Sequence, residues 1–165
     1  MPSNSYSKPE DSANPSGLSP RGLAEELREL IEQAERQLGP VTEAQAALRP
    51  GPGKWSLQQT VGHLVDSASN NLQRLVRLQL ESPLVFPGYK QNDWVRVQCY
   101  DRRPWIEVRE LFLALNRHLA HVIEQTERAA FAHVWLHEGE SLTLGFVLVD
   151  YMGHLRHHLR QFPNG

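Results

Sequence analysis

Three of the eight histidines in this 165-residue chain crowd into "YMGHLRHHLRQF", residues 151–162. Imidazoles four apart on a helix share one face about 6 Å apart, close enough for both to hold a single divalent ion. His154 and His158 meet that spacing. His157 falls roughly 60° from their midpoint on a helical wheel and should face away. A rival reading is electrostatic, with cationic side chains complementing the negative end of a helix dipole. A purification tag is excluded, because Leu155 and Leu159 continue an apolar stripe through the cluster with Leu144, Leu148, Tyr151 and Phe162. That stripe lies roughly 90° from His154 and His158, so the pair borders buried surface.

A catalytic site needs a third ligand from elsewhere, and His63 in "GKWSLQQTVGHLVDS" is the candidate. The apolar residues there, Leu57, Val61, Leu64, Val65, Ala68, Leu72, Leu75 and Val76, form one stripe. His63 lies nearly opposite it, among Gln59, Asp66, Ser67, Asn70 and Arg74. This face is either a solvated surface or the wall of a polar cleft, and its short uncharged residues suit the cleft. Across such a cleft from His154 and His158, His63 would complete a triad with open coordination positions, the catalytic rather than structural arrangement.

The other histidines fit less well. His133 and His137 sit in the alternating "FAHVWLHEGESLTL", where four residues of strand span about 13 Å, so they should not share an ion. They are expected to be surface or loop residues. On a regular amphipathic helix, His118 lies at the flank of the stripe and His121 farther out, and both are expected to be ordinary, partly exposed residues. Cys99 has no Cys-His signature around it and reads as a buried or incidental thiol. Asp66 and Asp150 follow or precede a candidate ligand closely enough to orient an imidazole, or to be solvated carboxylates.

The elements that must position these residues are helical. Residues 1–18 are rich in Ser, Pro and Asn with little to bury, and are expected to be disordered. Ser19 caps and Pro20 opens a first helix that Gly39-Pro40 stops. Thr42 and Gln45 begin a short turn of helix with capping-box spacing, and Ser56 with Gln59 begins a long one reaching about Glu81. Residues 82–103 form a long connection with a short helix from Asn92. Pro104 opens a third long helix with Leu111, Phe112, Leu115, Leu119, Val122 and Ile123 as its stripe. A small hairpin or extended loop follows, and Thr143 or Ser141 caps a last helix ending near Phe162. Four long helices over residues 19–162 predict one all-α domain, a four-helix bundle.

Composition narrows the partners. The chain is 40% hydrophobic with a formal charge of −2, and no basic block points to nucleic acid or an anionic membrane. No run of eighteen apolar residues suggests a membrane span. One cysteine gives no disulfide framework, and the start lacks the apolar core of a secretory signal, so a cytoplasmic address is expected.

The element "GKWSLQQTVGHLVDS" and, about ninety residues later, "GESLTLGFVLVDYMGHLRHHLRQ" together resemble the DinB superfamily, particularly its YfiT-like members. "FPGYKQNDWVRVQCYDRRPW" between them is similar in character to that family's long connection. The resemblance spans about residues 19–162. It implies a four-helix bundle with a three-histidine metal site, whose ligands match His63, His154 and His158. It also implies a metal-dependent S-transferase or hydrolase acting on a small molecule, with a low-molecular-weight thiol as a possible partner, and association as a homodimer. Imidazole ligands favour nickel or zinc, with iron or manganese as alternatives. A non-catalytic metal-dependent binding or stress protein, and a metal-free helical interaction protein, stand as the rival classes.

Overall fold

The Ser19 hydroxyl accepts the Gly22 N–H at 2.9 Å and starts α1 (Pro20–Leu38). Reciprocal capping boxes at Thr42/Gln45 and Ser56/Gln59 start α2 (Glu43–Ala47) and α3 (Leu57–Leu80). The computed structural model describes residue 17 and residues 19–163. Apart from Gly17, the expected disorder of residues 1–18 lies outside the described residues.

The connection after α3 carries β1 (Leu84–Val85), α4 (Gln91–Gln98) and a single 3-10 turn at Tyr100–Arg102. Next comes α5 (Trp105–Glu124), and a further 3-10 turn leads into β2 (Val134–His137) and β3 (Glu140–Thr143). The Thr143 hydroxyl accepts the Phe146 N–H at 3.2 Å and starts α6 (Leu144–Leu159). β2 and β3 form the expected hairpin, turning at Glu138 (φ 51°) and Gly139 (φ 84°). Positive φ at both central residues is the requirement of the tight turn that matches strand twist, and glycine meets it at the second. A third strand was not anticipated. Leu84 and Val85 pair in parallel with Trp135 and Leu136, and two residues are too few to show a period in sequence.

The four long helices form a mostly helical bundle, with α1 and α3 each packed against both α5 and α6. Helices α1 and α3 are therefore diagonal, not adjacent as in a simple up-down-up-down bundle. Leu27, Leu38, Leu64, Leu75, Phe112 and Tyr151 fill the centre. Two stripe positions fall outside it: Val76 is 42% exposed and Leu111 39%. Leu78 is buried on α3, and Val108 and Leu113 on α5. The cause is that each helix is covered from more than one side. Helix α3 touches α4 and the Tyr100 turn as well as α5 and α6, so its buried arc exceeds any single stripe. Among the described residues, no helix is long and apolar enough to cross a membrane.

Candidate metal centre

Packing of α3 against α6 sets His63 against the closing pair. The His63 and His154 Nε2 atoms lie 3.2 Å apart, and those of His154 and His158 lie 3.1 Å apart. All three offer a ligand nitrogen within 4.8 Å of one another. Two nitrogens each about 2.1 Å from an ion are separated by about 3.0 Å at a right angle and about 3.4 Å at the tetrahedral angle. The two spacings to His154 lie between these limits, and the third pair lies within 4.8 Å, so the donor set fits a divalent ion. His63 is 1% exposed and His158 3%, so the polar face of α3 is the wall of a cleft and not a solvated surface. The Trp55 ring lies 5.2 Å from that of His63.

Burial holds the three imidazoles neutral. The His63 pKa is pushed down to about 3 by burial and by His154. Burial and His157 take His154 down to about 4. Burial and the neighbouring histidines lower His158 to about 2. At neutral pH all three therefore keep free lone pairs without first losing a proton. The Ser67 hydroxyl lies 3.4 Å from His154 Nδ1. A proton on Nδ1 shared with Ser67 leaves the Nε2 lone pair turned toward the other two rings.

These shifts set a pH dependence for metal-free protein. Unfolded imidazoles titrate near 6.5, so on acidification the unfolded chain binds protons that the native triad refuses, and stability falls. Asp66 opposes this. Burial raises its carboxyl to about 6, so the native state takes that proton first and gains stability as pH falls from about 6. With three groups against one, the Tm of chelated protein is expected to drop between pH 7 and 5. A flat or rising Tm would contradict the buried neutral triad.

The Asp66 carboxylate is engaged away from the imidazoles. Asp66 accepts from the Tyr100 hydroxyl at 2.6 Å and from the Gln98 amide, tying α4 and its following turn to α3. Asp150 instead lines a cavity with Arg74. His157 lies outside the donor group: its ring sits 5.4 Å from that of His158, but its Nε2 is 2.8 Å from the Gln161 amide. Cys99 donates to the Arg96 carbonyl at 3.3 Å and lines neither cavity at the triad. His118 and His121 are exposed, their rings 6.4 Å apart.

His133 and His137 are not simple surface residues. The His133 ring meets the Leu78 carbonyl, and His137 stacks on Trp135 with centroids 4.6 Å apart. The hairpin packs over α3, which draws these rings inward. They still lie apart from the triad group. Replacing both with Asn is therefore expected to leave metal stoichiometry unchanged in elemental analysis, and loss of the ion would mean the hairpin supplies a ligand.

Two cavities meet at the triad. One, of about 510 Å³, is lined by His63, Tyr89, Lys90, Asn92, Asp93 and His154, among others. The second, of about 460 Å³, runs past Ser67, Asn71, Arg74, Trp135, Tyr151 and His154. Tyr89 lines both. Sequence reasoning missed Tyr89, because no period governs the connection that carries it.

Residues 23–162 match the DinB superfamily. The chain belongs to the DinB superfamily. One relative, an Oceanobacillus iheyensis protein named "Putative metal-dependent hydrolase", is 28% identical over 110 residues, covering 65% of this chain. The match spans 62% of that relative's length. Among solved structures, YfiT from Bacillus subtilis, described as "a probable metal-dependent hydrolase with an unusual four-helix bundle topology", aligns with a TM-score of 0.81. It is 20% identical, over 94% of this chain and 89% of YfiT. A mycothiol-dependent maleylpyruvate isomerase aligns with a TM-score of 0.71 at 16% identity, over 88% of this chain and 61% of the isomerase. At such identities, the two structural likenesses of this DinB superfamily member bear on its fold alone.

Proposed function

We propose that this DinB superfamily protein is a metal-dependent enzyme acting on a small molecule, a thiol-dependent S-transferase or a hydrolase. His63, His154 and His158 would hold the ion. The observation that carries the reading is the convergence of three neutral Nε2 donors, two buried and that of His154 half-buried, beside two open cavities. Three protein nitrogens leave coordination positions for water or substrate. The names of the Oceanobacillus iheyensis and Bacillus subtilis proteins support hydrolysis, and that of the isomerase supports a thiol.

Imidazole donors suit nickel or zinc first, with iron or manganese as further choices. The bound ion would supply a water of pKa near 7 or an ionised thiol. The chain's own groups then do the positioning. Ser67 orients His154, and Trp55 covers His63 from one side. Burial pushes the Tyr89 phenol up to about 12, so at neutral pH it keeps its proton and donates a hydrogen bond into either cavity. Cys99 takes no part.

Elemental analysis of untagged protein, followed by assays of hydrolysis and of thiol transfer with several cellular thiols, tests the proposal. A stoichiometric ion and turnover that disappears on chelation and returns with metal are expected. Protein without stoichiometric metal, or turnover indifferent to chelation, would refute it.

A further inference from the structure

One cation in the second cavity lacks the partner its burial calls for. Arg74 is 7% exposed, yet among the described residues no carboxylate forms an ion pair with it. Its Nη1 donates to Asn71 Oδ1 at 3.1 Å, and its guanidinium lies 4.1 Å above the Trp135 ring. The Nε atom is buried with no hydrogen-bond partner. A buried charge without a paired, hydrogen-bonded counter-ion is costly, and an apolar side chain of similar volume would fill the space more favourably. Asp150 lines the same cavity, and its charge acts on Arg74. Glu138 and Glu140 stand exposed at the rim.

The placement suits a substrate anchor. Ser67 and Arg74 are seven residues apart on α3, so their backbones are separated by roughly 10 Å along the helix. Ser67 contacts His154, and the cavity therefore extends from the triad to the guanidinium. Its remaining wall includes Leu142, Phe146 and Val147. Trp135 is pinned by its indole N–H, which donates to the Phe86 carbonyl at 2.8 Å, so the ring holds the guanidinium plane in place. Arginine in such a frame presents a rigid fork of donors that matches a carboxylate.

We propose that this cavity is a binding site for a small carboxylate-bearing molecule, its carboxylate on Arg74 and its reacting end beside His154. The second clause rests on the metal-dependent reading above, whereas the first does not. A single cation with three carboxylates on or near the cavity favours a monoanionic group over a phosphate dianion. A volume of about 460 Å³ accommodates a compact body between the two ends.

Titration of benzoate, of its neutral counterpart benzamide and of inorganic phosphate into full-length protein stripped of metal tests the site. Nitrogen–proton spectra would read the arginine Nε–H and indole N–H signals. Benzoate is expected to bind at least about tenfold more tightly than benzamide, the ratio a charge-assisted hydrogen bond gives, and to shift the Arg74 and Trp135 signals. Arg74→Gln should abolish the preference, and Arg74→Lys should keep part of it. Metal stoichiometry should stay unchanged in both, so loss of the triad could not explain the result. Equal binding of benzoate and benzamide to the wild type overturns the inference without any variant having to fold. A preference that survives Arg74→Gln, or phosphate binding as tightly as benzoate, overturns it too. Wild-type protein that prefers benzoate but binds no metal would support the carboxylate site and refute the proposed reaction.

Discussion

Metal analysis of His158→Ala is expected to show loss of tight binding, and His63→Ala should match it from the other helix. His157→Ala should keep its ion. The contrast follows from geometry. Nε2 of His158 lies 3.1 Å from that of His154, and Nε2 of His63 lies 3.2 Å from the same atom, whereas the His157 ring turns toward Gln161. Removing one imidazole of three leaves a site completed by waters, which hold an ion far less well. Stability should report the same division. An ion bound only to the folded state adds about 2.7 kcal/mol at a hundredfold excess over Kd. Chelation is therefore expected to lower the Tm of wild type and of His157→Ala, and barely to move that of His63→Ala or His158→Ala. If His157→Ala alone lost its ion, the ligand assignment would be wrong.

Gly62→Ala should be strongly destabilising, against the usual sign. Alanine in place of glycine inside a helix normally gains about 1 kcal/mol. At Gly62 an added Cβ would lie 2.2 and 2.3 Å from two ring carbons of Tyr100, so the ring must shift by more than an ångström. It is not free to do so. Tyr100 is 2% exposed, its hydroxyl donates to Asp66 at 2.6 Å, and its carbonyl accepts from Gln58 at 2.8 Å. Overpacking of a held core residue costs about 3 kcal/mol, or roughly 10 °C in Tm for a chain of this size. Thermal melts of Gly62→Ala beside Tyr100→Phe, which removes only the hydroxyl contact, would measure it. A Tm equal to or above wild type would show that the Tyr100 turn does not pack on α3 as described.

Much of the fold was written locally. Ser19, Thr42, Ser56 and Thr143 cap their helices as their spacing predicts, because a cap involves only residues three or four apart. Glu138-Gly139 turns the hairpin for the same reason. The shared face of His154 and His158, and the exclusion of His157 from it, also follow from helical periodicity alone. Pairing across the fold was not legible in this way. Periodicity gives the direction in which His63 points relative to its own stripe, but not what covers it. Only the packing of α3 against α6 decided that its polar face meets the histidine pair and not water. Coverage of α3 from several sides also exposed Val76 and buried Leu78, and the packing of both helices on α5 and α6 set α1 diagonal to α3. Ser67, Tyr89 and Arg74 converge on the cavities from a helix and an irregular connection. Such convergence is a property of three-dimensional proximity, which spacing along one chain segment does not encode.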